Sequence, residues 1–317
     1  MKKIIVFIFI LCSYIISSQS IEAKDYDKMS IEKLEKEANK GNAGIQAYLG
    51  DLYYTGEANR NIPQDYIAAA YWFRKAATQN NGKALFYLGQ MYYYGKGVSQ
   101  NFDEAINCYE RCVVKNDKNY METGFAKLIL AECYLKGLHG KYRNLKKALE
   151  LAKSVELAYI DLTGKSYELY GKQNKMLGDI YLAIGNESLS ADDYSNSYNH
   201  YVNAADDFME WSVMRFRSRT ASTNRYCDEF YESHLLAGNA MVLYNIAIGS
   251  SDYKKVVYHW DLAGSFGNAQ AQYNLGYQIY LNGCGNIPKD VAKAKKCLKK
   301  AADQGHKDAI NALNKIK

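Results

Sequence analysis

The feature that most constrains this chain is its self-similarity. The segment Ala47-Tyr48-Leu49-Gly50-Asp51-Leu52-Tyr53-Tyr54-Thr55-Gly56 returns, with its glycine 39 residues further on, as Leu85-Phe86-Tyr87-Leu88-Gly89-Gln90-Met91-Tyr92-Tyr93-Tyr94-Gly95. Further copies run from Leu130 to Gly137, from Leu177 to Tyr181 and from Leu275 to Gly283. A period in this range marks a solenoid, because one such unit cannot bury its apolar face alone. Within each copy the leucine, the small residue and the tyrosine recur at helical spacing, and the closing glycine suits a left-handed cap. A second motif, Asn61-Ile62-Pro63-Gln64-Asp65, leads to Ala69, Trp72, Ala76 and Ala77; it returns as Asn286-Ile287-Pro288-Lys289-Asp290, leading to Ala294, Cys297, Ala301 and Ala302. Proline and aspartate there favour the first turn of a helix. Each unit therefore reads as helix A, a glycine-bearing loop and helix B, and the chain has only 2 prolines to break its helices.

These residues resemble the Sel-one-like repeat (SLR) family, relatives of the tetratricopeptide repeats. The fit is closest over residues 44–115 and 269–305. Residues 123–157 keep Ala131 in place of the glycine, 172–206 keep Gly178 and Ala204-Ala205, and 233–267 keep Ala237, the helix around Trp260 and Gly267. The resemblance implies an all-α fold, a right-handed α-solenoid of about six helix-turn-helix (TPR-like) repeats. The division that follows is an N-terminal capping helix within 21–43, repeats one to four over 44–206, an insertion over 207–232, repeats five and six over 233–305, and a C-terminal capping helix over 306–317. Both caps are polar, as exposed solenoid ends require.

The first residues address the compartment. Lys2 and Lys3 precede an apolar run from Ile4 to Ile16, followed by Ser17, Ser18, Gln19 and Ser20. That is the build of a secretory signal peptide, residues 1–20, and the run is shorter than the ~20 apolar residues a membrane span needs. An uncleaved anchor is the alternative. Cys12 follows bulky Leu11 inside the apolar run and so does not mark a lipoprotein. The chain is expected to be exported, periplasmic or secreted, with no integral membrane association after cleavage. Loss of Lys2 and Lys3 takes the formal charge from +6 to +4. That mild excess is no basic stripe, so nucleic acid is not an expected partner.

The signatures of catalysis are incomplete. Gly164-Lys165-Ser166 ends like a phosphate-binding loop, but Tyr159 stands where its first glycine belongs. Ser30 to Lys33 and Ser251 to Lys254 spell Ser-x-x-Lys without the companion Lys-Thr-Gly. The β-lactamase label carried by cysteine-rich members of the family is therefore not transferred. His139, His200, His234, His259 and His306 are scattered, with His200 and His259 where Trp72 falls, and read as core filling rather than metal ligands. Cys108 and Cys297 share that packing position and Cys133 falls at the Leu52 position, so small apolar filling is the first reading there too. A bond from Cys108 or Cys112 to Cys133 stays open. No enzyme activity, cofactor or metal is expected.

Binding residues are sought on helix A. The residue after the small position is Asp51, Gln90, Glu132 and Asp179 in the first four units, and it points about 100° round from the packed glycine, toward solvent. Tyr48, Thr55, Tyr87, Tyr94 and Lys136 share that face. Stacked units would align them along the concave surface as a groove of tyrosines and polar groups; an ordinary solvated face is the alternative. Tyr53, Tyr92, Tyr134 and Tyr181 recur at one position and are expected in the core between helices. A second candidate is the insertion, where Trp211, Arg215, Phe216, Arg217, Arg219 and Arg225 fall without an acid among them. The expected function is an exported bacterial scaffold holding a protein, or a cell-wall glycopeptide, on its concave surface. A hydrolase of cell wall or β-lactam, and a secreted effector acting on host proteins, remain the alternatives.

Overall fold

Asparagines cap three of the A helices, and aspartates cap the B helices that carry the second motif. The computed structural model describes residues 26–115, 120–155, 165–217 and 224–316. The expected signal peptide lies outside them. The chain divides into two compact units, Met1–Thr123 and Gly124–Lys317.

The first unit holds α1 (Ile31–Asn39), α2 (Ala43–Thr55), α3 (Tyr66–Thr78), α4 (Gly82–Tyr94) and α5 (Phe102–Lys115). The side chain of Asn42 accepts the Ile45 N–H at 3.1 Å and that of Asn81 accepts the Ala84 N–H at 3.0 Å, satisfying donors that a helix start leaves free. Asp65 accepts from Ile67 and Ala68 at the start of α3. Pro63 stands two residues ahead of that cap rather than in the first turn. It follows a narrow loop in which Glu57 and Ile62 exchange backbone hydrogen bonds of 2.9 and 3.0 Å.

In the second unit α6 (Tyr120–Lys136), which begins in the first, is followed by α7 (Leu145–Lys153), α8 (Lys165–Ser188), α9 (Ala191–Arg217), α10 (Asn224–Ala247) and α11 (Lys254–Ser265). Then come α12 (Ala269–Asn274), running on into a wider π-helical stretch (Leu275–Leu281), α13 (Val291–Asp303) and α14 (Lys307–Lys315). Asn268 caps α12 and Asp290 caps α13, again with a proline, Pro288, two residues earlier. The loop before it repeats the narrow geometry, Cys284 and Ile287 exchanging bonds of 3.0 and 2.9 Å. His306 replaces asparagine as the cap of α14, its ring nitrogen accepting the Ala309 N–H. Among the described residues the fold is therefore all-α: six helix pairs with a single helix, α1 or α14, at either end.

In every pair but α6/α7, which has Ala131 at the position, what lets the helices close is a glycine on helix A beneath a large side chain on helix B. A methyl group on Gly50 would stand 2.5 Å from Cδ1 of Phe73, and one on Gly89 would stand 2.8 Å from Cε1 of Tyr109. Such distances are sub-van der Waals, so only a hydrogen fits. In the second unit Gly178 meets Tyr201, Gly238 meets Trp260 and Gly276 meets Leu298 in the same way. Phe73, Tyr109, Tyr201 and Trp260 are accordingly among the most deeply buried large side chains.

This corrects two expectations. Gly238, not Ala237, holds the glycine position of the fifth pair, although Ala237 is itself buried against Tyr201. Tyr53, Tyr92, Tyr134 and Tyr181 are half-buried at the edges of the stack rather than in its core. Tyr53, for example, donates to Glu35 at 2.9 Å. The core aromatic comes instead from helix B, at the residue after the Trp72 position.

A buried glutamine ties successive helices together in both units. Gln46 donates to the Ala38 carbonyl at 2.8 Å, closing the end of α1, and accepts from Gln79. Gln272 donates to the Gly264 carbonyl at 2.6 Å, closing α11, and accepts from Gln304. Carbonyls left open at a buried helix end thus find a side-chain donor.

Candidate functional site

In the first unit the polar residue of α2 is turned outward by the packing beside it. Gly50 is pressed on Phe73, so Asp51 projects to the side, where its carboxylate accepts from Lys83 of α4 at 2.7 Å. The Lys83 ammonium lies 5.8 Å from the centroid of the Tyr87 ring. Tyr87 in turn stacks on Phe73, with centroids 5.5 Å apart and planes 7° from parallel, and meets Tyr54 at 5.4 Å. The structure therefore joins Asp51 and Tyr87 through a residue that the sequence reading missed. Tyr87 is half-buried rather than free, and burial, followed by the Asp51 and Glu122 carboxylates, pushes its hydroxyl pKa upward.

Tyr48 is committed as well. Its hydroxyl donates to Asp27 at 2.6 Å and accepts from Arg60 at 3.2 Å, and burial with the Asp27 contact raises its pKa to about 12. Gln90 is half-buried. Tyr94 is the most open of the set, 64% exposed. It stands beside Lys96, whose ammonium lies 5.6, 5.4 and 5.8 Å from the ring centroids of Tyr54, Tyr66 and Tyr94. Cation and ring faces attract at such distances. A lysine one residue past the helix-ending Gly95 is the sequence signal that could have drawn attention to this cluster.

In the second unit Glu132 and Lys136 form an exposed pair one helical turn apart, 2.6 Å between charges. Asp179 is held differently: Tyr201 donates to it at 2.7 Å, and Lys175 lies 3.8 Å away while reaching Glu232 at 3.4 Å. Burial raises the Asp179 pKa, against the opposing pull of Lys175 and the Tyr201 hydroxyl. Asp179 thus serves its own helix pair first.

The segment 207–232 continues helices on both sides. Asp207 accepts from Asn174 at 2.9 Å and Phe208 covers Gly171, so its first residues prolong the α8/α9 pairing. Trp211, Arg215, Phe216 and Arg217 fall in the last turns of α9 and Arg225 at the start of α10; their side chains, and Arg219, lie outside the described residues.

The histidines are woven into packing. His234 and His259 face each other, Nδ1 to Nδ1 at 2.9 Å, and His259 Nε2 lies 3.2 Å from the Tyr198 hydroxyl. One nitrogen must donate and the other accept, so at least the accepting ring is neutral. Burial, then the neighbouring His234 and Lys255, lowers the His259 pKa to about 4. His200 bonds Asn174 and stacks on Tyr181. Among the described residues no three His, Cys, Asp or Glu side chains are grouped to hold a metal ion. Cys108 and Cys133 are buried free thiols, Cys112 is buried with its Sγ 3.5 Å from the Gly82 carbonyl, and Cys284 and Cys297 are half-buried free thiols.

Comparison with curated proteins returns no match. Among solved structures, the fold is similar to a protective antigen of uropathogenic Escherichia coli that displays an SLR fold, with a TM-score of 0.48 and 23% identity. The alignment covers 90% of this chain and 58% of the antigen's, so the chain spans little more than half of that protein. It is also similar to a Sel1 repeat protein from Oxalobacter formigenes, with a TM-score of 0.49, 21% identity, and 83% and 89% of the two chains covered. In sequence, residues 46–81, 82–111, 125–154 and 269–306 each match the Sel1 repeat. The pairs α8/α9 and α10/α11, which keep the glycine contact but little else of the motif, fall between the third and fourth matches. The chain therefore carries four Sel1 repeats, which fall in both of its units.

Proposed function

We propose that this chain is an exported, non-catalytic scaffold that holds a protein partner against the helix A faces of its repeats. The observation that supports this most is the tyrosine cluster of the first unit. Tyr94 is largely open, with Tyr54, Tyr66 and Tyr87 behind it and the charges of Asp51, Lys83 and Lys96 among them. Tyrosine offers contact area with few rotamers to freeze, which is why it anchors protein interfaces. Glu132, Lys136 and Asp179 extend the same reading to the second unit, and Trp211, Arg215 and Arg217 are the secondary candidates. Export rests on the build of residues 1–20, with a periplasmic or extracellular location following from it.

The test is cross-linking in the producing bacterium followed by recovery of the tagged chain. Tyr94→Ala should reduce recovery of a specific partner at least tenfold while leaving the melting temperature within about 2 °C, since an exposed side chain contributes little to stability. Unchanged partner recovery for Tyr94→Ala together with Asp51→Lys would remove the site from this face and leave the segment around Trp211 as its location.

A further inference from the structure

The positive charge of this protein is concentrated at one end. Residues 268–317 contain nine lysines, three aspartates and no glutamate, a net of +6 that equals the formal charge of the whole chain. The other 267 residues are balanced. The mild overall basicity therefore conceals a local field.

The fold gathers that charge on α13. Ala294, Leu298 and Ala301 are buried between the preceding helix and α14, and Cys297 is half-buried. At 100° per residue these define one side of the helix. Lys293, Lys295, Lys296, Lys299 and Lys300 lie on the remainder, Lys289 just precedes it, and all six are exposed. Lys293 is partly engaged, its ammonium 4.5 Å from the Tyr280 ring centroid. Among the described residues, the ion pairs of this unit all fall between Glu132 and Glu232, and none involves a lysine of α13. The acids nearby are Asp261, Asp290, which is spent as the helix cap, Asp303 and Asp308. Lys307 and Lys315 add two further exposed charges on α14.

We infer that the outer face of α13 is a docking surface for the anionic headgroups of a phospholipid bilayer, touching it without insertion. The composition of the face selects this partner. It carries lysine, alanine and, at its start, the partly exposed Val291, but neither arginine nor aromatic residues, so it lacks the anchors of a protein interface and the stacking platforms of a single-strand nucleic-acid site. Lysine supplies a mobile point charge rather than a planar fork for one phosphate. A field of such charges suits a diffuse anionic surface, where each raises binding roughly fivefold. The apolar side of α13 is already buried, so the attraction is electrostatic and salt-sensitive. This surface is separate from the tyrosine cluster of the proposed scaffold function, and either can fail without the other.

The experiment is flotation of the full chain with vesicles of phosphatidylglycerol and phosphatidylcholine, against vesicles of phosphatidylcholine alone. The second set registers whatever the apolar run Ile4–Ile16 contributes. At about 0.1 M salt the anionic vesicles should retain at least about tenfold more protein, and at about 0.5 M the excess should vanish. The variant Lys295→Gln, Lys296→Gln, Lys299→Gln, Lys300→Gln should lose most of the excess with an unchanged circular dichroism spectrum; Lys2 and Lys3 remain in it as an internal control. Equal binding to both vesicle types, or an excess that survives in the variant, overturns the inference. So does a variant that keeps its vesicle binding while losing retention on a polyanion or acidic-protein column, which would assign the face to that partner. If the fourfold variant folds poorly, the pair Lys295→Gln, Lys299→Gln and the salt titration of the parent decide on the same criteria.

Discussion

The ring of Tyr201 lies against Gly178 while its hydroxyl donates 2.7 Å to Asp179, the next residue along the same helix. One aromatic thus reads two adjacent positions of its partner helix, requiring no side chain at the first and an acceptor at the second. Phe73 over Gly50, having no hydroxyl, uses only the first half of this arrangement.

A side chain at these glycines should therefore destabilise. In an open helix, replacing glycine by alanine gains roughly 1 kcal/mol. Here the added carbon would fall 2.5 to 2.8 Å from a rigid ring, and overpacking of that kind costs about 1–3 kcal/mol. The collision outweighs the propensity, so Gly50→Ala and Gly89→Ala should lower the melting temperature, and the leucine variants should lower it further. Thermal unfolding followed by circular dichroism is the measurement; a raised melting temperature for both alanine variants would show that the helices can separate freely.

Two loop glycines should be equally intolerant. Gly97 has φ +65° and lies against the Tyr66 carbonyl, while Gly285 has φ +53° and lies against the Ser251 carbonyl. Left-handed backbone and contact with another main chain act together, so Gly97→Ala and Gly285→Ala should each cost about 2 kcal/mol or more. Gly140 has a similar φ of +72° but nothing near it, and Gly140→Ala should cost about half as much in a denaturant titration.

The pH dependence should contain two opposed contributions. His259 is held neutral, its pKa lowered to about 4 by burial, so the unfolded chain binds the extra proton and stability falls as pH drops from about 6.5 to 4. Asp207 is raised to about 6, again chiefly by burial, so the folded chain binds the extra proton and stability rises over pH 6 to 4. Each effect should be about 1–2 kcal/mol once partial solvent access is allowed for. Asp207→Asn should therefore stabilise at pH 7, have no effect near pH 4, and steepen the loss in acid. His259→Gln should flatten that loss. Melting temperatures at pH 7, 5.5 and 4 distinguish these outcomes, and parallel profiles for the two variants would contradict the assignment.

Thiol reactivity follows burial in the same way. Burial pushes Cys108 and Cys133 up to about 11, and only the thiolate is nucleophilic. At pH 8, with the protein folded, Cys284 should react with an aromatic disulfide reagent well before either of them. Under denaturing, non-reducing conditions Cys108, Cys112 and Cys133 should all react with the same reagent; a missing pair would indicate a bond among them.

The repeat grammar was legible in the sequence wherever it recurs in register. Gly50, Gly89, Gly178 and Gly276 could be placed because leucine precedes each and tyrosine or isoleucine follows at helical spacing. Gly238 could not, since Ala237 occupies the neighbouring position and both are small; only the side chain opposite, Trp260, tells them apart. The outward course of Asp51 followed from the glycine before it. That Tyr87 would stack on Phe73 did not, because Phe73 belongs to another helix and sequence spacing carries no distance between helices. Nor did the lysine face of α13 stand out, since the balanced remainder of the chain dilutes it in any global count.

The α8/α9 pair holds one further consequence. Gly171 meets Phe208, Gly178 meets Tyr201 and Gly185 meets Tyr194, so three contacts succeed one another every seven residues on both helices. Seven residues are close to two turns, which returns each glycine to the same side of the helix. Deleting or inserting a single residue between two of these contacts would turn the next glycine about 100° away and set a ring against a bulkier neighbour. In the course of descent this hairpin can change length gradually at its ends but, between its contacts, only by whole blocks of seven.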